Sequence, residues 1–511
     1  MNPDASFRRP GYTRSETRRL SRDIPEGQAQ WILGALIAAF TVGFTYLAHR
    51  KYACFNWESP DTASIGYAFF HTLEGRFFPY YAREGCLLGE HADFILLAWF
   101  PIFKLAPSMV SLFFFQSLMI SLVAWPAYVL ARASGCDTVT SLIAGMGLTV
   151  YPPVVSQHVG QIVDDRFGLV FLLFALYFFE KKHFPKFVLF MLLATLAKET
   201  IALNVAMFGL YALIQRRRWQ WVASPLVWGV AYAVAMVTWL MPKWGMWAKL
   251  VYGQMLYFKH YGSSPVEVLK YFALNPARTV ETMLAPDRLM YLGLLLAPLL
   301  LVAPFRSWAW LIAVPSLLIN LLGTNRLLRD LTWHYSMIAG GVLWASFLIA
   351  LPRWTQTLQS RFGPRNYARI LCLLGLVLSL GLCRIWLSPW QYRPTNAHQA
   401  RLQAIESVPL DASVLSPENM LAHFVRHPAL NSLGELRYYN RDPNQVFSYD
   451  YIVFDATYPS PDWQAQSQLF ALISNRPEYR LVSARDDVFV FHRIGSPPRL
   501  LKWPARTDAA F

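Results

Sequence analysis

Lys198 and Glu199 stand side by side in LLATLAKETIALN, residues 192–204, inside a stretch that is otherwise mostly apolar. Lipid cannot solvate such a pair, so charges in this setting face a bundle interior or a water-filled cavity. Further charges gather in the polar breaks between apolar runs: the acids Asp61, Glu90, Asp164 and Asp165, and the bases His91, Arg166, Arg326, Arg329 and His334. Together they suit one chemistry in particular, sugar transfer from a lipid phosphate. A carboxylate takes a proton from an acceptor hydroxyl, and cations stabilise the phosphate as it departs. Asp61 and Glu90 are the expected catalytic acids, Asp61 as general base. His91, Asp164, Asp165, Arg166, Lys198, Glu199, His260, Arg329, His334 and Tyr335 are the expected substrate-binding residues, with Lys198 and Arg329 or His334 on the phosphate. Asp61 carries a second reading, because Pro60-Asp61-Thr62 is also a plausible helix start that an aspartate would cap.

The elements that must position these residues are membrane helices. The chain has 511 residues, 55% hydrophobic and 15% charged, whereas a soluble domain carries about 25% charged residues. Apolar runs near the span of a bilayer recur along most of its length. The net charge of +15 does not point to nucleic acid, since the basic residues lie in short clusters between apolar runs, the positive-inside pattern. The five cysteines form no CxxC and no metal-ligand spacing, so they mark no metal site; no cofactor is indicated, and a divalent-metal requirement stays open. The basic segment 1–30 lacks the early apolar core and cleavage site of a signal peptide and reads as a cytoplasmic tail before a retained anchor.

Topology follows from charge parity. Arg8, Arg9, Arg14, Arg18, Arg19 and Arg22 precede the first run, which is about 31–48. Arg132, then Lys181, Lys182 and Lys186, then Arg216–Arg218, then Arg306, and finally Arg353, Arg361, Arg365 and Arg369 mark later cytoplasmic turns. Parity closes with about eleven spans, a mainly α, polytopic bundle over 31–390. HADFILLAWFPIFKLAPS, residues 91–108, is read as a helix at the outer interface, because counting it as a span would invert every later cluster. Two crossings must then fit between the basic clusters that flank Lys198–Glu199, so both helices are short and the pair sits at their sunken outer turn.

Two outer loops are expected, 50–108 and 243–288, the second as interfacial helices broken at Gly262-Ser263-Ser264-Pro265 and Asn275-Pro276. Cys54 and Cys86 both fall in the first loop and are expected to pair, closing about 30 residues for roughly 3–4 kcal/mol. From about 393 to 495 the chain turns polar. DASVLS, YDYIVFDAT and YRLVSARDDVFVFHR read as strands, PENMLAHFVRH and DWQAQSQLFALISN as helices, giving a small extracytoplasmic α/β domain followed by a tail, 496–511. It holds no phosphate loop and no nucleophile elbow, so docking or lidding is its expected role.

PDTASIGYAFFHTLEG, LGEHADFILL, LLATLAKETIALNVAMFGLYALI, FKHYGSSPVEVLKYFALNPARTV, WHYSMI and VPLDASVLSPENMLAHFVRHPAL follow one another in an order that resembles a bacterial family of multipass membrane proteins, a domain of unknown function grouped with the GT-C glycosyltransferases. The resemblance runs from about 52 to 493. It implies a catalytic acid in the first outer loop, matched by Asp61, a polyprenyl-phosphate-linked sugar donor, and a bacterial inner-membrane location. Two departures stand out. Gly66 occupies the place of a frequent second acid, and IVDDRFG replaces a frequent Phe-x-x-His-Pro-Glu. Two other readings stay open: a lipid or solute transporter, which calls for a midplane site and internal repeats, and a non-catalytic subunit that binds a partner through its outer domain.

Overall fold

The computed structural model describes residues 24–57, 60–82, 85–163, 165–245, 257–258, 260–383, 388–434, 447–458 and 463–494. Asp164, most of the N-terminal tail, the segment 246–256 and the C-terminal tail lie outside them. The chain is mainly helical, with one small sheet near its C-terminal end. In order come α1 (Glu26–Ala53), α2 (Pro60–Leu73), α3 (Ile95–Leu105), α4 (Met109–Ser121), α5 (Ala124–Ala133), α6 (Thr138–Thr149), α7 (Pro152–Val155), α8 (Asp165–Glu180), α9 (Phe184–Thr195), α10 (Ile201–Ile214), α11 (Trp219–Ala235) and α12 (Met241–Trp244). Helices Pro265–Leu274, Pro276–Met283, Pro286–Leu296, Val314–Leu322, Met337–Phe362 and Tyr367–Cys383 follow.

Among the described residues, four helices are long and apolar enough to cross a membrane unaided: Glu26–Ala53, Met109–Ala133, Trp219–Trp244 and His334–Phe362. Thr138–Thr149 and Pro152–His158 form a fifth if their 56° bend is one broken span. The burial pattern of α1 shows why it sits at the rim. Leu33, Ile37, Thr41, Phe44 and Ala48 are buried at near four-residue spacing while Trp31, Val42 and Tyr46 are exposed, so one ridge packs inward and the rest is left for lipid. Residues 337–348 are instead buried on all sides. There, Gly340 lies against Tyr151 and Pro153 and Gly341 against Leu169, the close approach that small residues permit between membrane helices.

Helices α9 and α10 have 12 and 14 residues, only about 18 and 21 Å long at 1.5 Å per residue. Neither alone matches a hydrocarbon core about 30 Å thick, and Lys198–Glu199 occupies the turn between them. Helix α3 contains Pro101 and leaves Ile102 and Leu105 exposed.

The sheet has the order β2-β1-β3-β5-β4, with β1 Val414–Ser416, β2 Leu430–Ser432, β3 Tyr451–Asp455, β4 Tyr479–Arg485 and β5 Val488–Arg493. The first three run parallel and the last two pair antiparallel. Two details differ from the sequence reading. Strand β2 lies in PALNSLG, and PENMLAHFVRH is helical only over Glu418–Leu421. Beyond it the chain turns tightly, because α1 and α2 bind its carbonyls: Tyr52 Oη donates to Ala422 O (3.4 Å), Tyr67 Oη to Pro428 O (2.8 Å) and His71 Nε2 to His427 O (3.0 Å). These bonds fasten the sheet domain to the helix that carries Asp61.

The expected Cys54–Cys86 disulfide is not present, and both thiols are free. Cys54 caps the end of α1. Cys86 sits in a turn whose backbone is held elsewhere: its N–H donates to Trp244 O at 2.7 Å, and burial pushes its thiol up to about 11.

Candidate functional site

The α9–α10 turn divides its two charges between different neighbours. Lys198 Nζ meets Asp165 Oδ1 at 2.7 Å, and both side chains are buried. Glu199 turns to the segment between α2 and α3, where Oε1 meets His91 Nδ1 at 3.1 Å and Oε2 accepts from Ala92 N at 3.0 Å. Ile95 N donates to Leu196 O at 2.9 Å, so α3 is tied to the same turn. Consecutive residues of a tight turn point in different directions, and here each finds an opposite partner on a separate element. Burying either charge alone would cost several kcal/mol.

Asp165 opens α8, where the N-terminal end of the helix favours a carboxylate. Lys198, His334 and His91 are among the titratable groups that surround it. His334 is buried at the start of the long helix through residue 362, and its ring lies 4.0 Å from that of Tyr335. Tyr335 Oη and Tyr257 Oη are 3.0 Å apart, and both hydroxyls lie in the field of Asp61 and Asp165. Asp61, His91, Asp165, Lys198, His334 and Tyr335 therefore share one neighbourhood. Tyr257 belongs to it as well, and sequence reasoning missed it: a tyrosine in an aromatic-rich stretch carries no distinguishing signal.

Asp61 stands in the first turn of α2, inside the helix rather than ahead of it, and is partly exposed. The position before Pro60, where a cap belongs, lies outside the described residues. The adjacent Thr62 fixes this turn. Its buried hydroxyl accepts from Trp57 Nε1 (2.7 Å) and from Ile162 N (2.9 Å), which staples the start of α2 to the segment leading into Asp165. Glu90 is half-buried and ends the short 3₁₀ turn Leu87–Gly89, one residue before His91.

Other expected binding residues go elsewhere. Arg166 is 1% exposed, and its Nη1 donates to Gln116 Oε1 (2.7 Å), Gln157 O (2.9 Å) and Gly160 O (3.3 Å). Gln116 Nε2 reaches the same carbonyls of Gln157 and Gly160, so Arg166 clamps the loop rather than opening toward a ligand. Arg329 Nε donates to Asp287 Oδ2 (2.9 Å) and its Nη1 to Asn320 O and Gly323 O. None of these bonds reaches Asp61, Asp165 or Lys198. His260 lies exposed on a turn. Asp164 is outside the described residues.

The arrangement offers one partly exposed carboxylate beside a buried lysine–carboxylate pair and two phenolic donors. That set can accept a proton at one point and stabilise negative charge at another.

No match is found among the curated proteins. Among solved structures, the fold is similar to ArnT from Cupriavidus metallidurans bound to undecaprenyl phosphate, at 14% identity and a TM-score of 0.54 over 92% of this chain and 99% of that one. The same protein in the apo state aligns at 14% identity and a TM-score of 0.52 over 91% and 98%. This likeness shows a shared overall fold over most of the chain. Residues 64–490 match the family described as "Predicted membrane protein (DUF2079)", and the chain belongs to that family.

Proposed function

We propose that this protein is a membrane glycosyltransferase that moves a sugar from a polyprenyl-phosphate-linked donor to an acceptor on the outer face of a bacterial inner membrane. The observation that carries the reading is the grouping of Asp61 with the Asp165–Lys198 pair and the Tyr257–Tyr335 hydroxyls. It occurs on a chain with the fold of a protein solved with undecaprenyl phosphate. Asp61 takes the proton of the acceptor hydroxyl, whose oxygen attacks the anomeric carbon. The bond from that carbon to the phosphate oxygen breaks, and the phosphate leaves with the electron pair. Lys198 and the tyrosine hydroxyls stabilise the charge that develops there. Lys198 is favoured over Arg329 for this task because its partner Asp165 lies in the Asp61 neighbourhood, whereas the bonds of Arg329 run to Asp287, Asn320 and Gly323.

In this reading the N-terminus is cytoplasmic, about eleven helical segments cross the membrane, and the sheet domain lies outside, fastened over α2. Mass spectrometry of lipid that co-purifies with the protein tests it directly. A polyprenyl phosphate supports the reading. Its absence, together with no transfer from polyprenyl-phosphate sugars by the purified protein, overturns it.

A further inference from the structure

Three arginines gather where the helix Pro286–Leu296 meets the 3₁₀ turn Arg326–Arg329. Asp287, in the first turn of that helix, sits between two of them: Arg288 Nη1 donates to its Oδ1 at 2.8 Å and Arg329 Nε to its Oδ2 at 2.9 Å. Backbone carbonyls take the next donors, Leu321 O from Arg288 Nε, and Asn320 O and Gly323 O from Arg329 Nη1. Both side chains are thereby held in place, with Arg288 14% and Arg329 6% exposed. Yet Nη2 of each makes no bond among the described residues, and neither Nη2 is enclosed by protein.

Arg326 is exposed and forms no hydrogen bond or ion pair among the described residues. Its charge and that of Arg288 both bear on Arg329. One carboxylate thus faces three guanidinium groups. The other acid of the turn, Asp330, accepts from Thr332 N and Oγ1. Cations that the fold holds in excess are preorganised for an anion, and the guanidinium fork suits phosphate. The surroundings narrow the kind of phosphate. Leu289 and Met290 follow Arg288, Leu327 follows Arg326, and all three are exposed. Leu294 is exposed as well, four residues beyond Met290, so an apolar stripe leads away from the arginines along one helix. A basic cluster at the end of an apolar membrane-protein surface matches a lipid, charged at one end and hydrocarbon at the other.

We propose that Arg288, Arg326 and Arg329 bind the phosphate headgroup of an anionic phospholipid whose chains lie along Leu289, Met290 and Leu294. The site is separate from the Asp61 group and does not depend on the transfer chemistry proposed there.

The test adds lipid to full-length protein in detergent. Phosphatidylglycerol at about ten times its Kd should raise the apparent Tm by on the order of 2 °C over phosphatidylcholine, and native mass spectrometry should show a retained phosphatidylglycerol. Arg326→Gln removes a cation that the fold does not use. It should leave the Tm without lipid unchanged while removing most of the shift and the retained lipid. If inorganic phosphate gives the same Arg326-dependent shift, the ligand is a soluble anion. If undecaprenyl phosphate gives it in place of phosphatidylglycerol, the arginines serve a sugar carrier. Either result overturns the proposal, as does phosphatidylglycerol binding that is absent or survives Arg326→Gln.

Discussion

Lys198 Nζ lies 2.7 Å from Asp165 Oδ1, while the next residue, Glu199, is held by His91 and the N–H of Ala92. Two neighbouring charges thus hold α8 and the segment between α2 and α3 on one turn. Removing one member of a buried pair leaves the other uncompensated, which costs about 3–5 kcal/mol. Lys198→Gln should therefore lower the Tm sharply, and adding Asp165→Asn should restore much of it. A double-mutant cycle from thermal melts in detergent checks this, and simple additivity would show that the two groups are not coupled.

Asp61→Asn should leave the fold and Tm near the wild type, because the swap is nearly isosteric and a first-turn carboxylate adds only about 0.3–1 kcal/mol through the helix dipole. Transfer activity should fall by roughly 10²–10⁴, the usual contribution of a general base. Measured transfer from a polyprenyl-phosphate sugar at wild-type rate would remove Asp61 from the mechanism and leave Glu90 and Asp165 to be tried.

Two glycines should respond differently to alanine. A Cβ on Gly66 would meet Met109 Sδ at 2.9 Å and Val425 Cγ1 at 3.3 Å, and the flexible end of Met109 can move aside. A Cβ on Gly89 would fall inside the backbone of Trp244 and Gly245, which cannot. Gly66→Ala should cost under about 1 kcal/mol, whereas Gly89→Ala should cost at least the ~1–3 kcal/mol of overpacking. Gly89→Ala should also disturb Glu90 and His91, which follow directly. Comparative melts with and without Gly89→Ala provide the measurement.

His423 stacks on Tyr52 with ring centroids 4.0 Å apart, and burial holds its ring down to about 3 from the usual 6.5. A histidine kept neutral in the fold binds its proton once released. The attachment of the sheet domain should thus be strongest above pH 6.5 and weaken steadily as pH falls from 6.5 toward 3. Limited proteolysis across that range should show faster release of the domain at the acid end, and His423→Phe should flatten the dependence.

Cysteines introduced by Asp411→Cys or Ser263→Cys should react with an impermeant thiol reagent in intact cells, and one introduced by Arg217→Cys should not. Labelling at Arg217→Cys would invert the proposed sidedness.

The sequence by itself determined that this is a helical membrane protein and that Lys198 and Glu199 lie inside it, because apolar runs and misplaced charges are properties of composition and spacing. It also marked the turn between two short helices and most of the strands, where alternating apolar residues leave a period of two. Strand β2, with three residues, is too short to leave a period, and the helix after Pro417 stops early because Tyr52, Tyr67 and His71 bind carbonyls from more than 350 residues away. Only the tertiary structure decided which charge meets which. Arg166, Arg329 and Lys198 are equally cationic in the sequence, yet Arg166 and Arg329 close on loop carbonyls while Lys198 closes on Asp165. A buried cation takes whatever acceptors packing brings within reach, and that depends on contacts between distant segments. The pairing of Tyr257 with Tyr335 and the Thr62 staple have the same origin.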